Sequence, residues 1–189
     1  MVLKIITIAA ALAATSASAV TLVSVPGSTG ELATPGSTAV TFTAAAGSAV
    51  TDFVVQGFRS LDGVNGYQDT FTLSLNGVDV FSGSFDLGGG GSNTVTLADA
   101  GATYSAFTNG VFAGGGATIH TPLTLAAGSN TLTFRYDGVA QGAGDEAWGI
   151  RALTVTGATV PEPAAWALLI AGFVMTGTAV RRRSAELAA

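Results

Sequence analysis

Side chains that could do chemistry gather in two glycine-punctuated stretches. One is Asp137-Gly138-Val139-Ala140-Gln141-Gly142-Ala143-Gly144-Asp145-Glu146, followed by Ala147-Trp148-Gly149-Ile150. Glycines let a chain bend tightly and turn carboxylates and carbonyl oxygens toward one point. Calcium takes six to eight such oxygens, so Asp137, Asp145 and Glu146 are candidate ligands for a calcium ion. Their spacing is not that of an EF-hand loop, and a solvated acidic loop leading into a core strand at Trp148 is the plainer reading. Asp52 or Asp69 would complete such a site only if the fold brought it near. The second stretch is Asp62-Gly63-Val64-Asn65-Gly66-Tyr67. Tyr67 is the first candidate for contact with a ligand, because an aromatic ring offers a flat apolar face to a sugar and keeps a polar edge. Tyr104, Phe107 and Phe112 are weaker candidates of the same kind.

Catalysis finds little support. His120 is the only histidine, and no Gly-x-Ser-x-Gly elbow is present to supply a nucleophile. There is no cysteine, which removes disulfides, thiolate catalysis and Cys-based metal sites. Gly88-Gly89-Gly90-Gly91-Ser92 opens no helix and is not followed by Lys-Ser or Lys-Thr, so it reads as a flexible connection and not as a phosphate cradle. Gly114-Gly115-Gly116 reads the same way. Between Val20 and Val160 three basic residues face ten acidic ones, a net charge of −7. Nucleic acid is thereby disfavoured as a partner, since phosphates need a basic surface. No enzyme is expected.

The elements that must position these residues are strands. The 189-residue chain is rich in Gly, Thr, Ser and Val and only 10% charged, a composition that favours β-structure with tight turns. Strands are predicted at Thr21–Val25, Thr38–Thr43, Val50–Arg59, Thr70–Leu75, Val78–Phe85, Thr94–Leu97, Ala117–Leu125, Asn130–Tyr136 and Trp148–Thr156. Asn76-Gly77 predicts a two-residue hairpin turn, because both residues tolerate positive φ. In that hairpin Leu75 faces Val78 and Leu73 faces Val80. Residues 98–116 lack regular alternation and read as a long exposed loop. The expected fold is all-β, an antiparallel β-sandwich of jelly-roll type spanning 20–159.

Both ends read as address labels. Lys4, the apolar run Ile5–Ala14 and Ser16-Ala17-Ser18-Ala19 form a secretory signal peptide, 1–19, cleaved after Ala19. At the other end, in 160–189, Pro161-Glu162-Pro163 breaks the last strand. Residues 164–180 are then apolar for 17 positions, about 25 Å of helix, near the lower limit for a transmembrane span. Trp166 lies at its outer edge, and Arg181-Arg182-Arg183 fixes the other edge on the cytoplasmic side. The body then faces outward, as the signal peptide independently requires.

The end VPEPAAWALLIAGFVMTGTAVRRR resembles the PEP-CTERM sorting domain of Gram-negative bacteria in its PEPxxWA form. The resemblance rests on Pro161, Glu162, Pro163, Trp166, Arg181, Arg182 and Arg183. It implies recognition by an exosortase in the inner membrane and processing near the Pro-Glu-Pro motif. Release to the cell surface and association with exopolysaccharide or biofilm matrix follow from it. GDEAWGIRALTV, within the body, resembles the last strand of jelly-roll bodies common in such proteins, which are similar to lectin-like or carbohydrate-binding sandwiches. Arg151 and Ala152 stand where that pattern often carries Asp-Asn. If that pair serves a metal, its loss weakens the calcium reading. The leading expectation is a non-catalytic exported surface protein. A calcium-dependent carbohydrate-binding module is the alternative, and a secreted hydrolase is the weakest reading.

Overall fold

A computed structural model describes residues 19–158 and 170–177. Residues 19–158 fold as one unit of eleven strands: β1 (Ala19–Ser28), β2 (Leu32–Ala33), β3 (Gly36–Ala44), β4 (Gly47–Gly57), β5 (Thr70–Leu75), β6 (Val78–Ser84), β7 (Thr94–Ala98), β8 (Thr103–Thr108), β9 (Gly115–Leu125), β10 (Gly128–Asp137) and β11 (Ala147–Ala158). One sheet runs β1-β11-β4-β9-β8, with β2 also paired to β11, and the other runs β3-β10-β5-β6-β7. Every pairing between named strands is antiparallel. The first and last strands pair from their outer ends, Ala19 opposite Ala158.

The two sheets close on one core because their strands alternate. In β4, Thr51, Phe53 and Val55 point inward, while Val50, Asp52 and Val54 are half-buried on the other face. In β10, Asn130, Leu132, Phe134 and Tyr136 point inward past Thr131, Thr133 and Arg135. This is the period of two that a sheet with one buried face demands. Aromatic rings bridge the layers. Phe53 meets Phe134 edge-on at 5.2 Å and Tyr136 packs on Trp148 at 5.6 Å across the layers, while Tyr136 also packs at 5.9 Å on Phe71 of its own sheet. Such pairs add about 0.5–1.5 kcal/mol each beyond area burial. The Trp148 indole also donates to Ala33 O at 3.1 Å, which holds β2 against β11.

The hairpin at Asn76-Gly77 forms as expected, with φ of 53° and 83°, and Leu75 faces Val78. A bulge between Leu73 and Ser74 then moves the register by one residue, so Leu73 faces Phe81 and not Val80. The shift exchanges faces: Phe81 enters the core and Val80 is only half-buried. The span read as a long loop contains β8, which lines the edge of the first sheet beside β9. A second bulge interrupts β11 between Arg151 and Thr154, with Ala152 at φ 52°. The Arg151-Ala152 pair thus lies at a solvent-exposed backbone kink in a strand held between β1 and β4, a conformation in which Asn is at home.

Residues 170–177 are helical. Among the described residues no helix is long and apolar enough to cross a membrane. The signal segment up to Ser18, the Pro161–Pro163 motif, Trp166, Arg181–Arg183 and most of the span expected at 164–180 lie outside the described residues.

Candidate functional site

The strands bring the chain's long connections to one end of the sandwich. Tight turns occupy the other end: Ala45-Ala46, Asn76-Gly77 and Ala126-Ala127. The loops 58–69, 85–93, 109–114 and 138–146 join through their main chains. Ser60 N donates to Asp145 O, Gly63 N to Gly90 O, Leu87 N to Leu61 O, Phe112 N to Gly88 O and Gly114 N to Arg59 O, all at 2.8–3.1 Å. The glycine run 88–91 is part of this fabric and not a loose connection. A Cβ at Gly89 would come within 2.6 Å of the Asp62 carboxylate, and one at Gly91 within 2.9 Å of Gly63. Close backbone approach, together with φ near 100° at Gly90 and Gly91, is what requires glycine here.

Inside this end three carboxylates converge. One oxygen each of Asp62, Asp69 and Glu146 lies within 4.8 Å of the others. Asp69 and Glu146 are fully buried and Asp62 is nearly so. Asp62 and Asp69 close the 58–69 loop on itself: Asp62 N donates to Asp69 Oδ2 at 2.9 Å, and Asp69 N to Asp62 O at 3.1 Å. Asn65 Nδ2 donates to Asp62 Oδ1. Glu146 sits where 138–146 enters β11, its Oε1 accepting from Gln141 Nε2. The other oxygens of the two fully buried groups, Asp69 Oδ1 and Glu146 Oε2, accept from no neighbour. The hydroxyl of Tyr136, also fully buried, is likewise without a partner.

Electrostatics follow from that burial. Loss of water pushes Asp69 up to about 6, with the nearby Asp62 charge adding to the rise and the Asp62 N–H opposing it. Glu146 is pushed up to about 7, first by burial and then by Asp69, while Gln141 opposes. Burial, then Asp69, Asp62 and Glu146, hold the Tyr136 proton far above the phenol's ordinary range.

Beside this cluster opens a cavity of about 250 Å³, lined by Ser60, Asp62, Tyr67, Gly89, Phe112, Gln141 and Asp145. Its aromatic pair is exposed, Tyr67 to 68% and Phe112 to 67%. Phe112 adopts φ 56°, a left-handed conformation that costs a residue with a Cβ about 1–2 kcal/mol. A strained, exposed ring at a cavity mouth is a pattern found at ligand clamps.

Of the sequence candidates, Tyr67, Phe112, Asp145 and Glu146 come to this end. Asp145 lines the cavity and accepts from Ser60 Oγ at 3.1 Å. Asp137 sits apart, exposed and paired with Arg135 at 2.6 Å. Asp69 does come near, whereas Asp52 pairs with His120 at 2.8 Å on the outer face of β4 and β9. No serine hydroxyl bonds to His120 among the described residues. Tyr104 leans on Phe85 at 5.4 Å, and the Phe107 ring fills the space over Gly116. The pairing of Asp62 with Glu146 was not foreseen; its only sequence signal was that each lies in an oxygen-rich glycine loop.

Residues 159–183 match the PEP-CTERM protein-sorting motif. No curated protein matches the chain. Among solved structures, the EclA C-terminal domain, a sugar-binding protein, aligns over 77% of this chain and 82% of that one. The two share 12% identity at a TM-score of 0.33, a likeness too loose to carry an argument about ligand or fold.

Proposed function

We propose that this chain is an exported, non-catalytic surface protein whose β-sandwich binds carbohydrate at its loop end. The sorting motif supports the route. A chain carrying it enters the inner membrane, is processed by an exosortase and reaches the surface of a Gram-negative cell, where exopolysaccharide of the matrix is the available partner. The observation that carries the binding reading is the cavity between Tyr67 and Phe112. Two rings largely exposed to solvent, one of them held in a strained backbone, flank the oxygens of Ser60, Asp145 and Gln141. Rings of this kind stack on the C–H faces of a pyranose, while carboxylate and amide groups take its hydroxyls.

The test is a glycan array probed with the full chain in mild detergent, followed by calorimetry on each hit. Tyr67→Ala and Phe112→Ala are each expected to weaken binding about tenfold, the loss of roughly 1.4 kcal/mol. Absence of binding to any glycan, or binding indifferent to both substitutions, would sink the reading. The route is tested by mass spectrometry of the surface fraction. The mature form should begin at Val20 and lack Arg181–Arg183, and an intact cytosolic product would contradict it.

A further inference from the structure

We infer that Asp62, Asp69 and Glu146 form a calcium site that ties the 58–69 loop to the 138–146 loop beneath the cavity. A carboxylate can only accept. Asp69 Oδ1 and Glu146 Oε2 are fully buried and accept nothing from the protein, and an unsatisfied buried charge is among the costliest features a fold can keep. No basic side chain answers them among the described residues. Arg59 reaches Glu31 and Ala143 O, Arg135 holds Asp137, and His120 holds Asp52.

Two further observations, independent of the acidic cluster, point to a ligand at this spot. The Tyr136 hydroxyl is fully buried and unpartnered; its ring packs at 5.6 Å on Trp148, two residues after Glu146, and its strand position lies opposite Phe71, two residues after Asp69. Thr34 Oγ1 is buried and unpartnered too. Its side chain neighbours Asp69 across Gly138, where any Cβ would overlap Asp69 Oδ1. The site therefore offers three carboxylates with oxygens within 4.8 Å of one another, and no nitrogen or sulfur ligand in the set. Such a set selects a hard cation. Calcium fits better than magnesium, which sheds water reluctantly and demands tight octahedral geometry, whereas these groups lie on irregular loops and are shielded from water.

The position explains what the ion would do. The 58–69 loop carries Ser60, Asp62 and Tyr67 of the cavity wall, and the 138–146 loop carries Gln141 and Asp145. An ion held by both loops fixes the width between them. This holds whether the cavity receives a sugar or another ligand.

The experiment uses the full chain in detergent after EDTA treatment. Terbium, a luminescent stand-in for calcium, is titrated with excitation of the protein's aromatic groups, because Trp148, two residues after Glu146, packs on Tyr136 at 5.6 Å. Sensitised emission that calcium displaces, with one ion per chain by calorimetry, is the expected result. Magnesium should compete at least about tenfold more weakly. Asp69→Asn and Glu146→Gln should each weaken calcium at least about tenfold with an unchanged circular-dichroism spectrum, and Asp137→Asn should leave it unaltered. The inference is overturned if the wild type neither binds calcium nor gains melting temperature from it, if magnesium binds equally well, or if a folded Asp69→Asn retains wild-type affinity. Tyr67→Ala should retain calcium, so loss of glycan binding alone leaves the ion site standing, and loss of calcium alone leaves the cavity standing.

Discussion

At the turn end of the sandwich Asn130 is fully buried, and its amide makes every bond open to it. Oδ1 accepts from Ala126 N and Asn76 Nδ2, and Nδ2 donates to Ala126 O and Gly128 O, all within 3.2 Å. At the loop end Asp69 and Glu146 are buried as deeply, yet each keeps one oxygen bare. The turn end is closed chemistry around Asn130: short connections whose main-chain groups are answered by that one amide. The loop end is open chemistry, in which the chain supplies buried acceptors that none of its own described groups answers. Burial alone therefore does not distinguish structural from functional polar groups; the inventory of partners does.

The comparison makes predictions of opposite sign. The largest effect is expected from Asn130→Ala, which strands two main-chain carbonyls, one N–H and the Asn76 amide. It should cost about 3 kcal/mol or more in urea unfolding, equally with calcium or EDTA. Asp69→Asn in EDTA should do the reverse. Removing an unanswered charge is expected to stabilise the metal-free protein by about 1–2 kcal/mol while removing any gain from calcium. A loss like that of Asn130→Ala would erase the distinction between the ends.

A third expectation concerns pH. Asp69 and Glu146 bind protons more tightly folded than unfolded, at about 6 and about 7 against ordinary values of 3.8 and 4.5. Folding is then favoured where both are protonated, and that advantage fades as pH rises through the unfolded values toward the folded ones. In EDTA the melting temperature should climb from pH 8 to pH 5, against the usual carboxylate trend, and saturating calcium should flatten the climb. A melting temperature that falls over this range in EDTA would mean that the buried oxygens are already answered. The smallest effect is expected between the two ends, at the β11 bulge. Ala152→Gly relieves the left-handed strain at φ 52° and should add about 0.5–1 kcal/mol at any calcium level.

Much of the sandwich was legible in the sequence, and the reasons for the gaps are physical. Strands such as β10 announced themselves because Leu132, Phe134 and Tyr136 alternate with polar residues and pack against the other sheet. β8 did not, since it is an edge strand in which only Ala106 is even half-buried, so no period of two was imposed on it. The register past Leu73 was lost to a bulge that composition does not mark. Within the acidic loop, Asp137 follows Arg135 by two residues and so shares its face, and the two pair in solvent. Glu146 was visible as a candidate ligand. Its meeting with Asp62 and Asp69 depended on β11 lying beside β4, Trp148 opposite Gly57, a contact between distant segments that local pattern does not encode. The sorting motif was legible because it is read as a linear string.

The pairing of Ala19 with Ala158 has a mechanical consequence. The first and last residues of the sandwich lie side by side at the corner where β11 finishes, and the Asp-Glu entrance to that strand is twelve residues away, about 40 Å at strand rise. A force applied at either end of the sandwich thus enters at one corner, and the cavity lies toward the opposite end of the strands.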